Sequence, residues 1–399
     1  MLADSKNFVR SFQCLAAMLW VAFAIHSAAA QDYNIQEAKV YVKMDFWKAP
    51  NSQSAEAWHF DPNNNGVWTR LPNYPTTPTA PPHAQFKVKD LFRHDLMPDT
   101  HIWFVGVESI QVVEGTPPNF ANVSGNPAYS EMIDRMIFAA DPESTDVEVH
   151  DPCGERSWPI HTGSELTSYL LHPHPGWAGG YGMRMKKEGL LESTAWLWKN
   201  PAGVEESDVY IEFTLRFDMD DVPEPPLRSH RIVMVSWISA ADGCGYNFCL
   251  AQGQETAVKV GTPFPVPNDS ASTIVVAVPH VIDHTATLQL YHRRDEQNTL
   301  LLDTSINNSN NYHTAHKCEP DGGEIAWHNH TIAAAGHLPV GGLTAWRGVI
   351  HFGEQVEDEI FAAASFNIPS HSSPTPSPTN HRALYMVFWH GWIPQGGGE

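Results

Sequence analysis

Three histidines, two aspartates and two arginines fall within VVAVPHVIDHTATLQLYHRRDE, Val275 to Glu296. Imidazole and carboxylate are donors that transition metals take, and His280, Asp283 and His284 stand close enough in sequence to share an ion. On a regular strand His280 and His284 point to one side but lie roughly 13 Å apart. One metal between them therefore requires a turn or bulge, with Asp283 as a harder ligand if the chain bends after Pro279. The competing reading is a polar strand rich in histidine, with His292 at the surface. Two further groups have the same ambiguity. HPHP (His172 to Pro175) holds two imidazoles on a stiff extended segment, and His313, His316, His328 and His330 crowd a loop-like stretch. The competing reading of the first is an exposed proline-rich loop, and the spacing of the second matches no strong metal motif.

The elements that must position these residues are strands. AKVYVKMDF, HIWFVGVESIQVV, DVYIEFTLRFDM, RIVMVSWI, STIVVAVPHVI, ATLQLYH, AWRGVIHF, IFAAASFNI and ALYMVFWHGWI alternate or are rich in β-branched and aromatic residues. SEMIDRMIFAA (Ser130 to Ala140) fits a helix or a strand equally well. With 31 prolines and 27 glycines as punctuation, the pattern predicts an all-β protein of antiparallel sandwiches. DMDDVPEPPLRSH (Asp218 to His230) combines charge and proline in a way that excludes a central strand. It divides the chain into 31–217, a linker 218–230, and 231–395. A Pro/Ser segment, Ser370 to His381, reads as a surface loop between two late strands.

The first thirty residues read as a secretory signal. Lys6 and Arg10 precede an apolar run, Cys14 to Ile25, and SAAA (Ser27 to Ala30) offers a cleavage site before Gln31. The apolar run is short for a membrane span. Export is the expectation, with no membrane association once the signal is removed. Four glycosylation sequons agree with it, at Asn122, Asn268, Asn307 and Asn329. Beyond the signal, Cys153, Cys244, Cys249 and Cys318 form an even set suited to two disulfides, with three pairings open. The formal net charge is −21, and residues 1–30 carry Lys6 and Arg10 against Asp4, so the remainder is more negative still. Such a surface argues against nucleic acid and anionic membranes as partners.

Several segments in order resemble the copper type II, ascorbate-dependent monooxygenases, a set that includes peptidylglycine alpha-hydroxylating monooxygenase and the stress-upregulated nodulin-like proteins. GGYGMRMKKEGLLESTAWLWKNPAGVEESDVYIEFTLRF (Gly179 to Phe217) is similar to the family's glycine turn and strand run. STIVVAVPHVIDHTATLQLYHRRDEQNTLLLDTS is similar to the strand pair bearing a histidine pair, and GGLTAWRGVIHFGE and TNHRALYMVFWHGWI to two late segments. The resemblance implies two jelly-roll-like antiparallel β-sandwich domains side by side, each with a copper site facing a cleft. It also implies oxygen chemistry on a small-molecule or peptide substrate. Imidazoles suit both copper states and a thioether favours the reduced one.

Carried over by position, the family's ligands are only partly present. Its adjacent histidines in the first half correspond to Asp134 and Arg135, and arginine does not ligate metals. In the second half, His280 occupies the first position of the His-x-His pair and Ile282 the second. Met386 matches the methionine and His381 the histidine before it. The resemblance therefore implies a scaffold with degenerate copper sites, whose remaining candidates are His280, Asp283, His284, His381 and Met386. A strand methionine also serves simply as core. No serine-hydrolase elbow, P-loop, zincin motif or dinucleotide fingerprint is present. The other class is a non-catalytic extracellular binding protein, for carbohydrate or protein, with tryptophans such as Trp158, Trp177, Trp196, Trp198, Trp389 and Trp392 as stacking surfaces.

Overall fold

The computed structural model describes residues 33–43, 45–46, 56–74, 84–123, 133–145, 149–150, 161–162, 167–173, 180–197, 209–220, 228–229, 231–235, 248–250, 255–260, 272–282, 285–305, 345–352, 358–367 and 379–390. The signal segment 1–30, Cys153, Cys244 and Cys318 lie outside them. So do Asp283, His284, His174 and the histidines from His313 to His330.

The described chain is almost entirely strand. Its first strands are β1 (Ile35–Lys43), β2 (Asp45–Phe46), β3 (Ala57–Asp61), β4 (Val67–Arg70), β5 (Ala84–Lys87), β6 (His101–Thr116), β7 (Asn119–Asn122) and β8 (Ile133–Ala140). Then come β9 (Val149–His150), β10 (His161–Thr162), β11 (Tyr169–Leu170), β12 (Tyr181–Lys186), β13 (Leu190–Leu197) and β14 (Val209–Asp218). The later part contributes β15 (Arg228–Ser229), β16 (Arg231–Val235), β17 (Phe248–Leu250), β18 (Glu255–Val260) and β19 (Ser272–Ile282). It ends with β20 (Thr285–Arg294), β21 (Gln297–Ser305), β22 (Trp346–Phe352), β23 (Asp358–Asn367) and β24 (Thr379–His390). Within the described residues each strand-like run read from the sequence forms a strand, and the ambiguous Ser130–Ala140 run is strand β8 from Ile133 onward. Among the described residues no helix is long and apolar enough to cross a membrane.

Alternation explains the layers. In β1, Ala38, Val40 and Val42 enter the core while Lys39 and Tyr41 face the other way. In β14, Ile211, Phe213, Leu215 and Phe217 are fully buried on that inner face. A nine-stranded sheet runs β15-β12-β6-β14-β1-β3-β4, with β7 and β11 also on β6, and a five-stranded sheet carries β10, β8, β13, β2 and β5. Their pairing is predominantly antiparallel. The long β6 shifts register against β14 twice. Gly106 lies at one of these irregularities with φ +149°, and a Cβ there would come within 2.4 Å of the Tyr169 carbonyl on β11. Only glycine admits that crossing.

The later strands build a six-stranded sheet, β22-β19-β24-β16-β9 with β17 on β24, and a four-stranded sheet, β18-β23-β20-β21. Ile274 and Ala277 of β19, Leu288 and Leu290 of β20, and Ile360 of β23 are buried. Two short strands cross between the sheet systems. β9 pairs in parallel with β16, and β15, within the 218–230 segment, pairs in parallel with β12.

The two sheet systems share apolar contact. Val275, Val276, Val278 and Ala345 belong to the same core cluster as Val40, Phe104, Tyr181 and Phe217. Polar links reinforce the junction: Thr167 Oγ1 donates to the Pro279 carbonyl at 3.1 Å, and Arg347 Nη2 donates to the Pro173 carbonyl.

Candidate functional site

Strand β19 is the element on which the candidate site depends. It pairs with β24 in the register Val278↔Met386, Pro279↔Tyr385, His280↔Leu384 and Ile282↔Arg382. Directly opposed residues of an antiparallel pair share a face, and so do residues two apart on one strand. His280 and Met386 are therefore on the same face, as diagonal neighbours whose backbones lie roughly 7–8 Å apart. His381, five residues from Met386, falls on the opposite face of β24, where it pairs with Phe248 of β17. Asp283 and His284 follow β19 and lie outside the described residues.

Pro279 opens the edge beside this position. Strand β22 pairs with β19 only as far as Ala277↔Trp346. Beyond it, proline offers no N–H to a neighbouring strand, and its carbonyl accepts instead from Thr167, which is fully buried. The register Val276↔Arg347 places Arg347 on the same face as Val276 and, two and four residues on, Val278 and His280. Val275, Val276 and Val278 of β19 join the first-half core.

Around this junction stand polar groups held away from water. Burial lowers the pKa of the Arg347 guanidinium, and its Nε is buried with no hydrogen-bond partner among the described residues. Tyr33 meets the His172 ring edge-on at 4.2 Å between centroids, and His172 packs so closely on Gly180 that a Cβ there would sit 2.5 Å from its Nδ1. The Tyr33 hydroxyl is raised, first by burial and then by the charge of Asp218. Asp218 ends β14 opposite Ile35 and Trp103 and is fully buried. Burial pushes its carboxyl up to about 6, although the Asp220 N–H, donating to Oδ1 at 2.9 Å, opposes the shift.

The first-half position of the resemblance has different donors. Arg135 in β8 pairs with Trp196, and Asp134 stands at the register shift beside it. Other described first-half histidines are dispersed: His59 on β3, His94 between β5 and β6, His101 on β6, His150 on β9 against Val233, and His161 on β10 against Ala139. His292 sits on β20 between Thr299 and Ile360. Among the described residues, no group of three or more His, Cys, Asp or Glu is arranged to hold a metal ion. A histidine–methionine pair is a different donor set, and its reach depends on the β19–β24 register. Thr167, Arg347, Tyr33 and Asp218 were not legible as site residues, because each acquires its place from a partner far away in sequence.

No family model matches the chain, and no curated protein matches it. Among solved structures, recombinant peptide:N-glycanase F (PNGase F) is similar at 11% identity and a TM-score of 0.32, over 89% of this chain and 95% of that one. A chain of infectious bursal disease virus, Gx strain, is similar at 11% identity and a TM-score of 0.19, over 93% of this chain and 74% of that one. At these values the similarities carry no inference about chemistry.

Proposed function

We propose that the chain is an exported, glycosylated and disulfide-bearing protein on a scaffold resembling the copper type II monooxygenases. Its ligand sets are degenerate, and one metal position remains at the junction of the two sheet systems. His280 and Met386 are the residues that would hold copper there, with Asp283 or His284 joining if the chain turns back after Ile282. The single observation in support is the β19–β24 register, which puts His280 and Met386 diagonally on one face. An imidazole with a thioether suits reduced copper. Arg135 does not fit a metal, so the first-half site has no counterpart. When bound, copper would supply redox chemistry toward oxygen. The chain's own residues would contribute a water-poor wall from Val276 and Val278, and a guanidinium, Arg347, on the same face.

Metal analysis of purified protein after anaerobic copper reconstitution tests this reading. About one copper per chain that is lost on His280→Ala supports it. Ascorbate-dependent oxygen uptake by the loaded protein would extend it to an enzyme. Protein that retains no copper after dialysis overturns it and leaves the scaffold as an extracellular binding protein.

A further inference from the structure

The outer face of the nine-stranded sheet is aromatic where a solvent-facing strand surface is ordinarily polar. Phe120 of β7 stacks on Tyr41 of β1, with centroids 4.4 Å apart and planes within 6°. It also meets Trp68 and Tyr210 edge-on at 5.2 and 5.1 Å. Tyr41, Val113 and Tyr210 are buried beneath, while Trp58, Trp68 and Phe120 are only partly covered. Phe60, on the same face as Trp68 and edge-on to it, is 57% exposed. A contiguous apolar patch of this kind calls for a cover.

Asn122 lies on the same short strand, two residues from Phe120. Both therefore face the same way, roughly 7 Å apart. Asn122 is exposed, its Nδ2 donates to Gln111 Oε1, and it opens the sequon Asn122-Val123-Ser124. The other sequon asparagines, Asn268, Asn307 and Asn329, lie outside the described residues. Gly115, opposite Phe120 in the β6–β7 pair, has φ +127°, and a Cβ there would strike the Asn119 carbonyl at 2.2 Å. The tight return that sets Phe120 and Asn122 over the sheet thus depends on a glycine.

We propose that Asn122 carries an N-linked glycan whose innermost N-acetylglucosamine packs on Phe120 and roofs the aromatic cluster. The proposal rests on the export reading above, because the sugar comes from a lipid-linked oligosaccharide pyrophosphate in the secretory pathway. The bond from Nδ2 to the sugar C1 forms, the C1–O bond to the lipid pyrophosphate breaks, and Nδ2 gives up one proton. The amide keeps its second N–H, which suffices for the bond to Gln111. The slightly positive C–H face of the sugar meets the negative face of the ring, the same electrostatics that orders aromatic pairs.

The test is secretion of the full chain from a eukaryotic host, followed by glycopeptide mass spectrometry. A second readout is NMR of protein trimmed to a single N-acetylglucosamine per site. Expected are a glycan on Asn122, an acetyl methyl resonance displaced upfield by the ring current, and loss of that displacement in Phe120→Leu. Phe120→Trp keeps it, and Asn122→Gln lowers the Tm by about 2–4 °C. If Phe120→Leu does not fold, the displacement in the unsubstituted protein and the Tm of Asn122→Gln still decide. Secreted protein bearing glycans elsewhere but none on Asn122 overturns the proposal and leaves export standing. A glycan on Asn122 without displacement or Tm change overturns the packing on Phe120. Protein retained in the cell with every sequon bare overturns both this proposal and the export reading.

Discussion

The interior of the first-half sandwich and the junction between the two sheet systems belong to one apolar cluster, yet they are built differently. In the interior, alternation alone suffices. Val40, Phe104, Phe213 and Phe217 are fully buried, with Phe217 edge-on to Phe92 and Phe104 at 5.2 and 5.4 Å. At the junction the cluster continues through Val276 and Val278, but polar groups sit in and around it. Thr167 bonds a strand carbonyl, and Arg347 is half-buried with no partner for its Nε among the described residues. Buried polar groups cost stability unless paired. Thr167 and Arg347 at this seam separate a part that holds the fold from a part that spends stability on something else.

The contrast can be broken by substitution, and the largest effect belongs to the interior. Phe217→Ala should lower the unfolding free energy by about 3–5 kcal/mol, read as a reduced denaturant midpoint. Thr167→Val should cost less, about 1–3 kcal/mol, because it removes the donor to Pro279 and little volume. An equal loss in the two variants would erase the distinction. Asp218 should act in the opposite direction. Its carboxyl is raised from 3.8 to about 6 by burial, so the native state holds the proton where the unfolded chain releases it. Stability from this group is present below pH 4 and is lost as the pH rises through 6. Asp218→Asn, neutral throughout and still able to accept from Asp220, should gain about 1–2 kcal/mol at pH 7.5 and flatten the profile between pH 4 and 6. A variant whose profile matches the parent would show that Asp218 is not held as described.

The strand repertoire was legible because alternation is a local signal. AKVYVKMDF and DVYIEFTLRFDM display their inner and outer residues without reference to partners. SEMIDRMIFAA was not decidable alone, and pairing with β13 makes it a strand. The two-residue strands β9 and β15 carry too little sequence to announce a pairing, although they tie the sheet systems together. His280 and Met386 were named by resemblance, but their common face is a property of register, and register across 106 positions leaves no mark in either strand. Asp218 opened what read as a charged linker, and its burial arises only from lying between Ile35 and Trp103. Thr167 and Pro279 are likewise joined only by folding.

The central claim, a copper position shared by His280 and Met386, is tested most directly by X-ray absorption at the copper edge of reconstituted, ascorbate-reduced protein. A sulfur scatterer in the unsubstituted chain that disappears in Met386→Leu, with nitrogen scattering retained, is the predicted result. Identical spectra from the two proteins, or no copper retained by either, would contradict it.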